Sequence, residues 1–104
     1  MDEEALSINV SAISVWEVAI KWALRKGRPD DMPVSGQSFL NELERALIAP
    51  LAIQPRHAAA LDDLPMIHGD PFDRLLLATA KQEGLTLLTH DANLISYGDF
   101  VALV

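Results

Sequence analysis

Apolar positions in the first third of the chain recur with a helical period. Within "SAISVWEVAIKWALRKG", residues 11–27, Val15, Val18, Ala19 and Trp22 fall at i, i+3, i+4 and i+7, while Glu17, Lys21 and Arg25 share another face. Basic residues crowd the last turn and Gly27 follows, as the helix dipole and a left-handed cap prefer. Upstream, the β-branched and small residues of "LSINVSA", residues 6–12, suit a short strand. The acidic "DEEAL" before it, residues 2–6, reads as a helix tail or a short turn.

After the breaker-rich "RPDDMPVSG", the stretch "SFLNELERALI" restarts a helix with Phe39, Leu40, Leu43 and Leu47 facing inward, and Pro50 stops it. "LAIQ" is a candidate strand, and "PRHAAALDDLP" is a helix with Pro55 at its first position. A helix then runs from Pro71 to Gly84. The Leu-rich "LTLLT", residues 85–89, suits a strand buried on both faces, and the closing "FVALV" suits another. Strands alternating with helices predict a three-layer α/β/α sandwich with a mainly parallel sheet, in a single domain over residues 1–104.

Composition narrows the chemistry. Eight Lys and Arg against fifteen Asp and Glu leave a formal charge of −7, so any nucleic-acid partner has to be held through a metal ion or a local patch. Without cysteine there are no disulfides or thiolate metal sites, which leaves oxygen-ligated hard cations and His-ligated ones. No signal peptide or membrane span is visible, and a cytoplasmic location is the expectation.

The acidic residues fall where a parallel α/β sheet collects its sites, at the carboxyl ends of strands. Glu17 lies in the expected first turn of the helix after the first strand, Asp73 in the first turn of the helix from Pro71, and Asp91 two residues past "LTLLT". Three carboxylates converging from three segments repel one another unless a cation sits among them, and Mg²⁺ or Mn²⁺ suits oxygen ligands with open water positions. Local capping explains the same residues. Ser14-x-x-Glu17 has the form of a capping box, Asp70-Pro71-Phe72-Asp73 offers an N-cap, a Pro at N1 and a carboxylate at N3, and Asp91 can open the short helix "DANLIS". Asp70 is assigned mainly to the cap. His57, His68 and His90 have no short metal-ligand spacing and read as core or surface residues. Trp22 reads as core, and Trp16 as a packing or partner residue.

"SAISVWEVAIKWALRKG", "HGDPFDRLLLATAKQEGLTLLTHD" and "YGDFVALV" together resemble the PIN domain, specifically the VapC-type ribonuclease toxins of bacterial toxin–antitoxin pairs. The resemblance covers nearly all of the chain. It implies a fold of helices on a parallel sheet whose carboxylates bind Mg²⁺ or Mn²⁺ and cleave RNA phosphodiesters. By motif, Glu17 matches the acid of the S-x-W-E segment, Asp73 the second aspartate of D-P-F-D, and Asp91 the aspartate after the last core strand. Ser14, Asp70 and Thr89 are the supporting residues. The implied partners are an RNA substrate, a cognate antitoxin protein and a second copy in a homodimer, with no membrane.

One departure stands out. The family opens with a short apolar strand ending in an aspartate, followed by a helix, and this chain starts at the far end of that helix. An upstream start, a decayed remnant or a partner chain filling the gap each explain it, and the intact remainder favours the first. Two functions follow as expectations: a metal-dependent endoribonuclease toxin, impaired if the chain begins at Met1, or an inactive PIN-like protein that dimerises or binds an antitoxin.

Overall fold

The computed structural model describes residues 8–104, so the acidic start "DEEAL" and the first two residues of the expected strand at 6–12 lie outside it. The chain forms two compact units, one ending at Ala52 and the other spanning Ile53–Val104.

In the first unit Val10 and Leu51 run parallel. Leu51 N–H donates to the Val10 carbonyl (2.7 Å) and Ala12 N–H to the Leu51 carbonyl (2.9 Å), which makes a single bridge between Ser11 and Leu51. The two strands expected at 6–12 and in "LAIQ" shrink, among the described residues, to this bridge. Helices claim the chain on both sides: α1 spans Ala12–Ala23, and α3, Pro55–Ala59, starts four residues after Leu51.

Helix α1 is capped by Ser11, whose extended backbone (φ −73°, ψ 145°) turns its Oγ to accept the Ile13 N–H at 3.0 Å. The expected capping box at Ser14 and Glu17 is therefore corrected: Ser14 is already inside the helix, its N–H bonded to the Ser11 carbonyl. Glu17 sits beyond the first turn and pairs with Lys21 at 2.9 Å, one turn on. The buried residue of α1 is Ile13; Val15, Val18 and Trp22 are half-buried, and Ala19 is exposed rather than part of the buried stripe. Gly27 does adopt a left-handed φ of 82°, but beyond the end of α1, in a loop where Lys26 and Arg28 both donate backbone N–H to Asp31. Those N–H groups, that of Arg28 above all, hold the Asp31 carboxyl below its usual range.

Helix α2, Gly36–Arg45, starts from the Ser35 cap and buries Leu43. A Cβ on Gly36 would stand 2.8 Å from the Ala19 Cβ, so glycine is what lets α2 approach α1 there. The helix ends in a Schellman motif: Leu47 N–H bonds to the Glu44 carbonyl, and Ile48 N–H to the Leu43 carbonyl. Leu47 takes the left-handed position of that motif (φ 61°) and is 92% exposed. Its expected place on the inward face is corrected accordingly, because the helix has stopped before reaching it.

The second unit follows the sequence pattern closely. Pro55 opens α3, a 3₁₀ turn covers Ala60–Asp63, and α4 spans Pro71–Glu83 between an Asp70 N-cap and a left-handed Gly84 (φ 68°). Strand β1, Leu87–Thr89, pairs parallel with β2, Val101–Leu103, in the register Leu87 to Val101 and Thr89 to Leu103. A 3₁₀ turn over Ala92–Tyr97 connects them. Leu64, Leu77, Leu94, Tyr97 and Val101 form the core, with Leu61, Leu87 and Phe100 against it. Only alternate residues of β1 face that core; Leu88 is 59% exposed, which corrects the expectation of a strand covered on both faces. Helices with parallel strand pairing make this an α/β protein, as the sequence pattern predicted. Among the described residues no helix is long and apolar enough to cross a membrane.

Candidate functional site

The start of α4 gathers the chemistry of the second unit. Asp70 caps the helix: its Oδ1 accepts the Phe72 N–H at 2.8 Å and the Asp73 N–H at 3.4 Å. Pro71 fills the first helical position, where no N–H is needed, and Asp73 falls at the third. The positive end of the helix dipole favours both carboxylates. His68, in the loop before the cap, brings Nε2 to 2.9 Å from Asp73 Oδ2, and each of these two side chains is 26% exposed.

His68, Asp70 and Asp73 each offer a ligand atom, and the three atoms lie within 4.8 Å of one another. Two carboxylate oxygens and an imidazole nitrogen so spaced suit a divalent cation such as Mn²⁺ or Mg²⁺, which takes oxygen ligands at about 2.1 Å and completes its shell with water.

The loop carrying His68 is fastened from two sides. Tyr97 Oη accepts the N–H of His68 at 2.8 Å and that of Ile67 at 3.2 Å. Arg74, the residue after Asp73, donates from Nη1 to the Pro65 carbonyl at 3.0 Å and lies 3.5 Å from Tyr97 Oη.

Of the residues proposed from sequence, Asp70 and Asp73 come together here, Asp70 in the capping role expected of it. Asp91 is not in this group. It caps the 3₁₀ turn that follows it, accepting the Asn93 N–H at 2.9 Å, while its own N–H donates to Thr89 Oγ1 at 3.0 Å. Glu17 and Ser14 lie three residues apart on α1 in the first unit. His68 is the residue that sequence reasoning passed over. A search for helical ligand spacing cannot find it, because it reaches Asp73 from a loop; its only signal was its place two residues before the D-P-F-D run. His57 is a core residue, 1% exposed, and His90 bonds through Nδ1 to the Val104 carbonyl.

The first unit carries a different feature, an apolar groove of about 500 Å³ lined by Val15, Trp16, Ala19, Trp22, Leu40 and Pro50. Trp16 is 56% exposed on it, and the Arg25 guanidinium stacks 3.6 Å over the Trp22 ring.

The PIN domain family model matches residues 2–99. Ribonuclease VapC22 of Mycobacterium tuberculosis (strain ATCC 25618 / H37Rv) is 35% identical over 96 residues, which cover 91% of this chain and 71% of that protein. No solved structure matches the chain.

Proposed function

This chain belongs to the PIN-domain family as a VapC-type member, and from that premise we propose that it is a metal-dependent endoribonuclease, the toxin of a toxin–antitoxin pair, acting in the cytoplasm. The observation that carries the reading is the meeting of His68, Asp70 and Asp73 at the start of α4, inside the motif that the resemblance marks as acidic ligand.

Asp73, with the carboxylates proposed beside it, would hold Mg²⁺ or Mn²⁺, which would supply neutralisation of charge building on a phosphodiester and a lowered pKa for bound water. The chain's part is to hold and orient. Asp73 is the proposed ligand, kept in place by His68, and Asp70 fixes the helix start beneath it. The sequence motif adds Glu17 and Asp91 to the proposed ligands, with Thr89 and Ser14 as their supports. A cation held there would also let a protein of net charge −7 approach RNA without a basic surface.

An antitoxin and a second copy are the proposed protein partners. The groove beside Trp16 and Trp22 favours a role in protein contacts as well, and it supports the second reading, an inactive PIN-like interaction protein. RNA cleavage separates the two. The chain is incubated with RNA and Mn²⁺ or Mg²⁺, with EDTA and Asp73→Asn as controls. Cleavage that EDTA and Asp73→Asn both abolish supports the nuclease. A folded chain that cuts under no condition overturns it in favour of the interaction protein.

A further inference from the structure

The loop between Leu64 and Asp70 has no buried side chain of its own. Met66 is 78% exposed, Ile67 48%, and a Cβ on Gly69 would meet nothing within 4 Å. His68 is the half-buried side chain of this stretch, and a loop whose other side chains stand in solvent samples many conformations unless hydrogen bonds restrain it.

One hydroxyl takes the central part in that restraint. The Tyr97 ring is 8% exposed in the core beside Leu77 and Leu94, and its Oη accepts two consecutive backbone N–H groups, of Ile67 and His68. Arg74 completes the clamp from α4, reaching the Pro65 and Leu64 carbonyls and Tyr97 Oη. We propose that Tyr97 is a positioning residue of the α4 site, its hydroxyl fixing the loop so that His68 stands against Asp73; this rests on the metal-nuclease reading above. Neither Tyr97 nor Arg74 contributes a ligand atom. Both act through the backbone around His68, which in turn holds Asp73, the proposed ligand, as outer partners of metal ligands do elsewhere.

The test measures Mn²⁺ affinity of the 104-residue chain by calorimetry for the wild type, Tyr97→Phe, His68→Ala, the double variant, and Val101→Ala, a truncation in the same core cluster that keeps the Tyr97 hydroxyl. Tyr97→Phe keeps the ring in the core and removes only the hydroxyl. The expected result is a cooperatively folded Tyr97→Phe with roughly tenfold weaker Mn²⁺ binding, an unchanged affinity in folded Val101→Ala, and no further loss when Tyr97→Phe is added to His68→Ala.

Wild-type affinity in Tyr97→Phe, an equal loss in Val101→Ala, or an undiminished loss in the His68→Ala background would each overturn the proposal. A wild-type chain that binds no Mn²⁺ instead overturns the metal reading on which it rests. Should Tyr97→Phe fail to fold, Arg74→Lys, which loses the forked grip on the loop carbonyls but leaves the core intact, replaces it under the same criteria.

Discussion

His57 Nε2 stands 2.5 Å from Glu83 Oε2, tying the start of α3 to the last turn of α4 across 26 residues of sequence. The ring is 1% exposed, and its Nδ1 accepts the Gln54 N–H at 2.9 Å, so the proton of the neutral imidazole is on Nε2 and is donated to the carboxylate. Arg56 reaches the same oxygen at 2.6 Å. One glutamate therefore collects an imidazole and a guanidinium from consecutive residues.

That arrangement gives the unit an acid-sensitive element. The His57 hydrogen bond, then the Arg56 charge, hold the Glu83 carboxyl below its usual value, against partial burial acting the other way. A carboxyl whose folded pKa is depressed contributes stability that is complete above the unfolded value of about 4.3 and is lost as pH falls through the lower folded value. Urea midpoints measured from pH 7 down to pH 3 should hold steady and then fall below about pH 4.3, and Glu83→Gln should flatten that acid limb. An identical acid limb in the variant would remove Glu83 as its cause.

The two aspartates of D-P-F-D should separate by role. Asp70→Ala loses the α4 cap and should cost about 1 kcal/mol of stability. Asp73→Asn should leave urea stability nearly unchanged while weakening Mn²⁺ binding. Asp91→Ala should weaken Mn²⁺ binding in the same way. Unfolding titrations and Mn²⁺ calorimetry on the same samples check this; loss of folding with unchanged metal affinity in Asp73→Asn would reduce that residue to a cap.

Leu47 is a correctable strain. It holds the left-handed position of the α2 Schellman motif, where an L-residue costs about 1–2 kcal/mol relative to a right-handed conformation. Gly84 fills the equivalent position after α4, with Leu85 N–H bonded to the Ala80 carbonyl. Because Leu47 is 92% exposed, Leu47→Gly removes little packing, and after the entropy of the more flexible unfolded chain it should still stabilise by about 0.5 kcal/mol. A rise in melting temperature checks it, and a fall would show that Leu47 packs in solution.

Leu77 is fully buried among Leu64, Leu94, Tyr97 and Val101. Leu77→Ala should cost about 2–5 kcal/mol, the range for cavities that their surroundings only partly fill. Chemical denaturation measures it, and a loss under about 1 kcal/mol would mean that the core collapses into the space.

Local rules in the sequence determined much of this protein by themselves. Asp70, Pro71 and Gly84 delimit α4 because a cap acceptor, a fixed φ and a left-handed residue act within a few positions of where they stand. "LTLLT" and "FVALV" contained their strands for the same local reason, and the D-P-F-D and S-x-W-E segments carried the family. Tertiary structure decided the rest. Whether Ser11 or Ser14 caps α1 depended on the bridge to Leu51, a contact 40 residues away that no local spacing encodes. The burial of His57 depended on Glu83, and the inward face of α2 lost Leu47 when a Schellman turn closed the helix first. His68 joined the candidate site because Tyr97, 29 residues on, offers its hydroxyl to the loop. A side chain's partner across such separations is set by how the elements pack, and periodicity along the chain carries no record of it.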